Sequence, residues 1–168
     1  RWGIDFILKN RYGDGYRASS MGLLIRQDGQ LGTFDDITSV RVQNMAYDNF
    51  LYSGYEAYAA MNLPRDEHAR MMRKTAEEDF AFAMDKFTRD GYDKFYQMYE
   101  HTYNTSRSQY HATISWAASQ LYKLTGDRKY AALASENIRY TLACQETGDI
   151  PGGLAGYFYR DTTRRSVV

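Results

Sequence analysis

The sequence has a single cysteine, no net charge and no long apolar run, and each shortage excludes a class of protein. Cys144 alone cannot form an internal disulfide, and no cysteine and histidine cluster has metal-ligand spacing. The 21 basic residues balance 21 acidic ones without any basic run, so no nucleic-acid partner is expected. The apolar runs are short and interrupted, so neither a membrane span nor a signal peptide is predicted. No cofactor and no metal are expected.

Tyrosine is the residue in surplus. The chain has 16 tyrosines among 168 residues, and its 43% hydrophobic content suffices for one compact domain, residues 1–168. Tyrosine has a flat apolar face and a polar edge, which suits contact with sugar rings, although packing between helices is its commoner use. The sequence starts inside an apparent helix and stops after a Gly-rich turn. It is therefore predicted to be a segment whose natural partner is the remainder of its own polypeptide.

The periodicity of apolar residues predicts an all-α fold made of helical hairpins. Apolar positions recur at steps of three and four over four stretches, from Val42 to Leu63, from Asp66 to Gly91, from Ser108 to Thr125 and from Asp127 to Leu142. Gly126 and Asp127 form a short link between the last two helices, which predicts that these helices form an antiparallel hairpin. Residues 92–105 are predicted to add one or two helical turns.

Glycine-rich segments separate these helices. The opening helix is closed by Gly13-Asp14-Gly15, and the aperiodic stretch from Tyr16 to Thr38 predicts a long loop with a small β-hairpin turning at Asp28-Gly29. Loops of this length inside compact domains tend to be functional. After Gly148, further glycines predict a short strand or loop.

The stretch from Tyr110 to Leu133 carries a Trp-Ala-Ala helix, a Leu-Tyr-Lys-Leu-Thr-Gly-Asp turn and a Tyr-Ala-Ala-Leu helix. This succession resembles glycoside hydrolase family 9. The opening Arg-Trp-Gly-Ile-Asp-Phe-Ile-Leu-Lys is similar to the helix that follows the water-activating region in that family. Where the family usually carries an acidic pair, this sequence has Ala112 and Thr113, which would suit a divergent branch.

The resemblance implies an (α/α)6 toroid of six inner and six outer helices, of which this chain would be an incomplete part. It also implies cellulase-like hydrolysis of a β-linked polysaccharide, in the periplasm or outside a bacterial cell. Such inverting hydrolysis needs one carboxylate to activate water and a second to protonate the leaving oxygen. The family's Asp-Ala-Gly-Asp motif and its C-terminal glutamate do not occur here, so the catalytic residues are expected outside this segment.

Eight residues are candidates for substrate binding. Asp35 and Asp36 follow a glycine in the predicted loop, where they could cap the next helix, bind a sugar or a cation, or act as general base. Tyr110, His111 and Trp116 gather towards one end of a helix, where toroids place their cleft. Helix packing is the simpler use of Tyr110 and Trp116, and a polar surface or satisfied core position is the simpler use of His111. The remaining candidates, Tyr157, Tyr159 and Arg160, follow the glycines near the C-terminus.

Two further functions stay open. One is a non-catalytic helical glycan-binding protein of the starch-binding lipoprotein type, in which paired helices display aromatic residues. The other is a purely structural helical domain, in which all the tyrosines would be buried.

Overall fold

A computed structural model describes residues 2–25, 28–30, 33–34, 37–93, 106–148 and 155–167. In these residues the elements are α1 (Trp2–Lys9), β1 (Arg17–Ile25), β2 (Ile37–Gln43), α2 (Ala46–Asn62), α3 (Glu67–Asp90), α4 (Arg107–Thr125) and α5 (Arg128–Ala143). The predicted helical architecture with one small antiparallel sheet is confirmed. Among the helices so described, none combines the length and the apolar character that crossing a bilayer requires.

The predicted small hairpin is formed by β1 and β2, which pair antiparallel from Arg17 opposite Gln43 to Ile25 opposite Ile37. The prediction that the next helix begins at Val42 was wrong, because Val42 pairs with Ala18 in the sheet. The apolar spacing of the helix continues backwards to Val42, which lies near the end of the strand. Valine favours extended backbone because its side chain is branched at Cβ.

Helices α2 and α3 form an antiparallel hairpin. The Ser53 hydroxyl donates a 2.7 Å hydrogen bond to the Ala76 carbonyl. One turn along, the rings of Phe50 and Phe80 meet edge to face at 5.3 Å. The predicted N-cap Asp66 accepts from the Ala69 amide, and α3 ends before a glycine with φ of 75°. Each large apolar side chain buried in this contact contributes about 1.5–3 kcal/mol.

Helices α4 and α5 repeat this arrangement. The Ser115 hydroxyl donates a 2.9 Å hydrogen bond to the Ala134 carbonyl. The predicted break is confirmed, since Gly126 adopts the left-handed conformation and Asp127 caps α5. The helix start predicted at Ser108 lies two residues late, because Ser106 is the N-cap that accepts from the Gln109 amide.

The two hairpins pack through α2 and α4, which run parallel. Near their N-terminal ends the rings of Tyr47 and Tyr110 are 5.4 Å apart. Further along, Gly54 meets Trp116 so closely that an added Cβ would lie 2.1 Å from the indole ring. The shared core combines alanines with large rings from all four helices: Ala46, Tyr47, Phe50, Ala57, Ala76, Phe80, Ala83, Tyr110, Ile114, Ala117, Ala118, Leu121, Tyr130 and Ala134.

The helical turns predicted for residues 92–105 fall mostly outside the described residues. Tyr92 and Asp93 are described, and they follow Gly91 in an irregular conformation. These two residues lie beside the N-terminal ends of α2 and α4, where the candidate site is found.

Candidate functional site

A cleft of about 580 Å³ opens where the end of β2, the start of α2 and the end of α3 meet. Aromatic, charged and amide side chains share its lining, which consists of Tyr16, Val42, Gln43, Asn44, Met45, Lys86, Asp90, Gly91, Tyr92 and Asp93. Small-molecule sites typically combine apolar or aromatic walls with a few polar groups that fix orientation. The cleft therefore has the composition of a binding site.

Asp93 is the most constrained carboxylate of the cleft. Its Oδ1 accepts a 3.0 Å hydrogen bond from the Ala46 amide, and its Oδ2 accepts 2.8 Å hydrogen bonds from the Tyr47 amide and the Tyr110 hydroxyl. Met45, the N-cap residue of α2, makes no side-chain cap. Asp93 therefore caps α2 from outside the helix, with its negative charge at the positive end of the helix dipole.

Tyr110 lies one layer behind the cleft. The residue is 1% exposed, and its ring contacts those of Tyr47, Phe50, Phe87 and Tyr92. Burial, together with the negative charge of Asp93, raises the pKa of the Tyr110 hydroxyl well above its usual range. In this position the hydroxyl is a fixed donor that orients Asp93, and direct contact of Tyr110 with a substrate stays a prediction.

His111 also lies behind the cleft, with both ring nitrogens engaged. Nδ1 lies 2.7 Å from Asn137 Oδ1, and Nε2 lies 2.7 Å from the Tyr92 hydroxyl. The imidazole stacks on the ring of Tyr140 at 4.1 Å. His111 thus ties the cleft residue Tyr92 to α5.

The exposed edge of the cleft is charged. The carboxylate of Asp90 is paired with Arg89 at 2.9 Å and with Lys86 at 3.0 Å. The hydrogen bond from Arg89, followed by that from Lys86, holds the pKa of Asp90 below its usual range. Asp90 is consequently an anion at neutral pH, which can accept hydrogen bonds from hydroxyl groups but has no proton to donate.

The C-terminal candidates form a separate cluster. The hydroxyls of Tyr157 and Tyr159 lie 3.0 Å apart, and Tyr159 donates a 3.0 Å hydrogen bond to Glu146. Arg160 is exposed, and its carbonyl accepts from the amide of Ser108 near the start of α4. The Tyr159 amide also donates to the Cys144 carbonyl, and the Glu146 amide donates to the Tyr157 carbonyl, so this cluster connects the C-terminal segment to the residues just after α5.

Of the other predicted site residues, Trp116 is described and does not line the cleft. Trp116 lies along α4, where its ring packs against Gly54 and meets Tyr55 edge to face at 5.0 Å. Asp35 and Asp36 lie outside the described residues, so their predicted role in binding is untested. Within the part of the chain that the structure describes, no three acidic, histidine or cysteine side chains come together as a metal site.

Sequence reasoning missed Tyr16, Tyr92 and Asp93. Tyr92 and Asp93 come directly after Gly91, which ends α3, and polar residues at the mouth of a bundle commonly follow such a break. Tyr16 had a comparable signal, since it follows the Gly13-Asp14-Gly15 turn. The local sequence gives no signal that these two distant segments meet in one cleft beside the start of α2.

Comparison with known proteins adds no relative, because no protein-family model matches the chain and no curated protein or solved structure matches it.

Proposed function

We propose that this chain supplies a carbohydrate-binding cleft to a glycoside hydrolase built of helical hairpins and acting on a β-linked polysaccharide. The observation that carries the proposal is the pairing of two tyrosines, Tyr16 and Tyr92, with Asp90, Lys86 and neighbouring amides in one open cleft. A sugar ring has an apolar face that packs on an aromatic ring, and hydroxyls that bond to carboxylates, amides and ammonium groups.

The arrangement of the hairpins supports the same proposal. Two antiparallel hairpins lie side by side with α2 and α4 parallel, and the cleft opens at the N-terminal end of α2. The proposed toroid would add further hairpins in the same orientation, with α2 and α4 as neighbouring helices of one of its two layers. This is the toroid that the resemblance to glycoside hydrolase family 9 implies.

Neither of the two described carboxylates of the cleft fits the role of catalytic acid or base. An inverting glycosidase needs a general acid whose pKa is raised, and a base that can reach water. The pKa of Asp90 is lowered, and both carboxylate oxygens of Asp93 already accept hydrogen bonds from α2 and Tyr110. The proposal therefore assigns neither role to Asp90 or Asp93. As the resemblance implies, the acid and the base belong outside this segment, and a general base at Asp35 or Asp36 is the alternative.

A titration of the protein with oligosaccharides tests the cleft. We expect β-linked gluco-, xylo- or manno-oligosaccharides to bind, and Tyr16→Ala to weaken the affinity at least about tenfold, as loss of an aromatic anchor does. The matched control is Tyr12→Ala, an exposed tyrosine outside the cleft lining. Equal affinity of Tyr16→Ala and wild type, or no binding of any oligosaccharide, would refute the proposal.

Non-catalytic glycan binding is the second candidate. It is favoured by the engagement of Asp90 and Asp93 in pairs that leave neither as an acid. Release of reducing ends by the full-length protein separates the two functions. Binding with hydrolysis supports the glycosidase, whereas binding without hydrolysis supports the glycan-binding protein.

A further inference from the structure

We propose that Arg17 is a positioning residue, and that its buried ion cluster with Glu56 and Asp79 holds Tyr16 in place in the cleft. The choice of a glycan as ligand rests on the proposed function, whereas the placement of Tyr16 does not.

Tyr16 and Arg17 are neighbours in opposite environments. Tyr16 is 43% exposed and lines the cleft, whereas Arg17 is 1% exposed and is one of the largest fully buried side chains. Adjacent residues at the start of a strand point to opposite faces, so fixing one side chain fixes the direction of the other.

The guanidinium of Arg17 is held by two helices at once. Its Nη2 donates a 2.6 Å hydrogen bond to Glu56 of α2 and a second hydrogen bond to Asp79 of α3. Its Nε lies 3.4 Å from Asn49 Oδ1, and its guanidinium covers the ring of Tyr52 at 4.2 Å. The planar fork of an arginine makes such contacts directional.

The residue before Tyr16 is fixed to the same helices. The Asn49 side-chain amide donates a 2.8 Å hydrogen bond to the Gly15 carbonyl. Gly15 has φ of 72°, and an added Cβ would lie 2.0 Å from the ring of Phe82 in α3. The Tyr16 amide itself donates a 2.8 Å hydrogen bond to the Gly13 carbonyl. The backbone is therefore held on both sides of Tyr16.

Stability alone is a poor reason for this cluster. Buried ion pairs lose hydration energy that their attraction only partly returns, and apolar replacements often fold as well or better. Burial raises the pKa of Glu56 and lowers that of Arg17, and both shifts reflect the same loss of hydration by the charged groups. Within the described residues, Arg17 Nη1 and Glu56 Oε2 make no hydrogen bond. An apolar cluster in the same place would not fix the direction of the Tyr16 backbone.

The test is the combined variant Arg17→Met/Glu56→Met/Asp79→Asn, in which the new side-chain amide at position 79 can still accept a hydrogen bond from Arg11. We expect an unfolding midpoint equal to or above that of wild type, amide exchange at residues 16–18 at least about tenfold faster, and oligosaccharide affinity about tenfold weaker. Arg73→Met, which removes an exposed guanidinium of α3 paired with Glu77, is the matched control and should leave exchange at Tyr16 unchanged.

Unchanged exchange at residues 16–18 in the folded variant would overturn the proposal, as would faster exchange with undiminished affinity. If the combined variant does not fold, Arg17→Lys decides the question, because lysine keeps the charge without the fork and should also speed exchange. If wild type binds no oligosaccharide, the proposed function fails while the exchange rates still decide the role of Arg17.

Discussion

The hydroxyl of Tyr110 donates a 2.8 Å hydrogen bond to Asp93, and the same carboxylate oxygen accepts from the Tyr47 amide at the start of α2. One carboxylate thus joins the segment after α3 to the N-terminal ends of α2 and α4. Because Asp93 and the start of α2 line the cleft, this hydrogen-bonded joint links the stability of the hairpins to the shape of the site.

Replacing Asp93 with alanine should destabilise the protein by about 2–4 kcal/mol, since it removes a helix cap and leaves a buried hydroxyl without its acceptor. Urea denaturation measures this loss. The control is Asp85→Ala, whose exposed side chain pairs with Arg89 and should cost less than about 1 kcal/mol. Equal losses for the two variants would contradict the capping role.

When its ring carries one proton, His111 should hold that proton on Nδ1. The Asn137 side-chain amide donates to the Leu133 carbonyl, so its Oδ1 faces His111 and accepts from Nδ1. Nε2 is then left to accept from the Tyr92 hydroxyl. Nitrogen-15 NMR of the histidine ring at neutral pH distinguishes the tautomers, and a proton on Nε2 would show that this network is wrongly assigned.

The same network predicts a loss of stability. His111→Phe keeps a ring on Tyr140 but leaves Asn137 and Tyr92 without their partner, so a loss of about 1–3 kcal/mol is expected in chemical denaturation. Tyr92→Phe removes one of the two hydrogen bonds and should cost less. A loss for Tyr92→Phe as large as that for His111→Phe would argue against the bond to Asn137.

Gly54→Ala should destabilise the contact between α2 and α4, because the new methyl group would overlap Trp116. We expect a loss of about 1–3 kcal/mol, the usual range for overpacking. Gly3→Ala is the matched control, since it is a helical glycine with no atom within 4 Å of an added Cβ, and it should be neutral or slightly stabilising. Trp116→Leu should reduce the loss in a double-mutant cycle, and strict additivity would contradict the proposed overlap.

Glu146→Gln should destabilise the protein at neutral pH more than in acid. The Gly148 amide and then the Tyr159 hydroxyl lower the pKa of Glu146 in the folded state. Its stabilising effect is therefore present above the unfolded pKa, and it is lost as the pH falls through the lower folded value. Melting temperatures at about pH 7 and about pH 3 should show the gap between wild type and variant closing in acid. Glu136→Gln, at an exposed position of α5, controls for removal of a carboxylate, and a gap that widens in acid would refute the assignment.

Local features of the fold could be predicted from the sequence. Gly126 and Asp127 end one helix and begin the next by contacts within a few residues, and Asp66 caps α3 in the same way. The strand at Val42 could not be separated from the following helix, because its identity depends on pairing with Ala18 across the hairpin. Pairing between distant segments leaves no periodic signal in a single strand.

The candidate site was harder to predict for the same reason. The cap that Asp93 provides joins residues 46 positions apart, and Arg17 resembles a surface charge until α2 and α3 supply Glu56 and Asp79. The burial of Tyr110 by neighbouring rings depends on tertiary packing that its own helix does not reveal.

The serine-to-alanine hydrogen bond found in both hairpins, Ser53 to Ala76 and Ser115 to Ala134, spans 23 residues in one case and 19 in the other. Contacts of such short sequence separation have a small loop-closure cost. The contact between Tyr47 and Thr113 closes a loop of 66 residues and therefore has a larger one. Each hairpin is therefore held together by contacts that are local in sequence. A gene duplication that copied one such hairpin would lengthen the array without creating any contact that is slower to form than those already present.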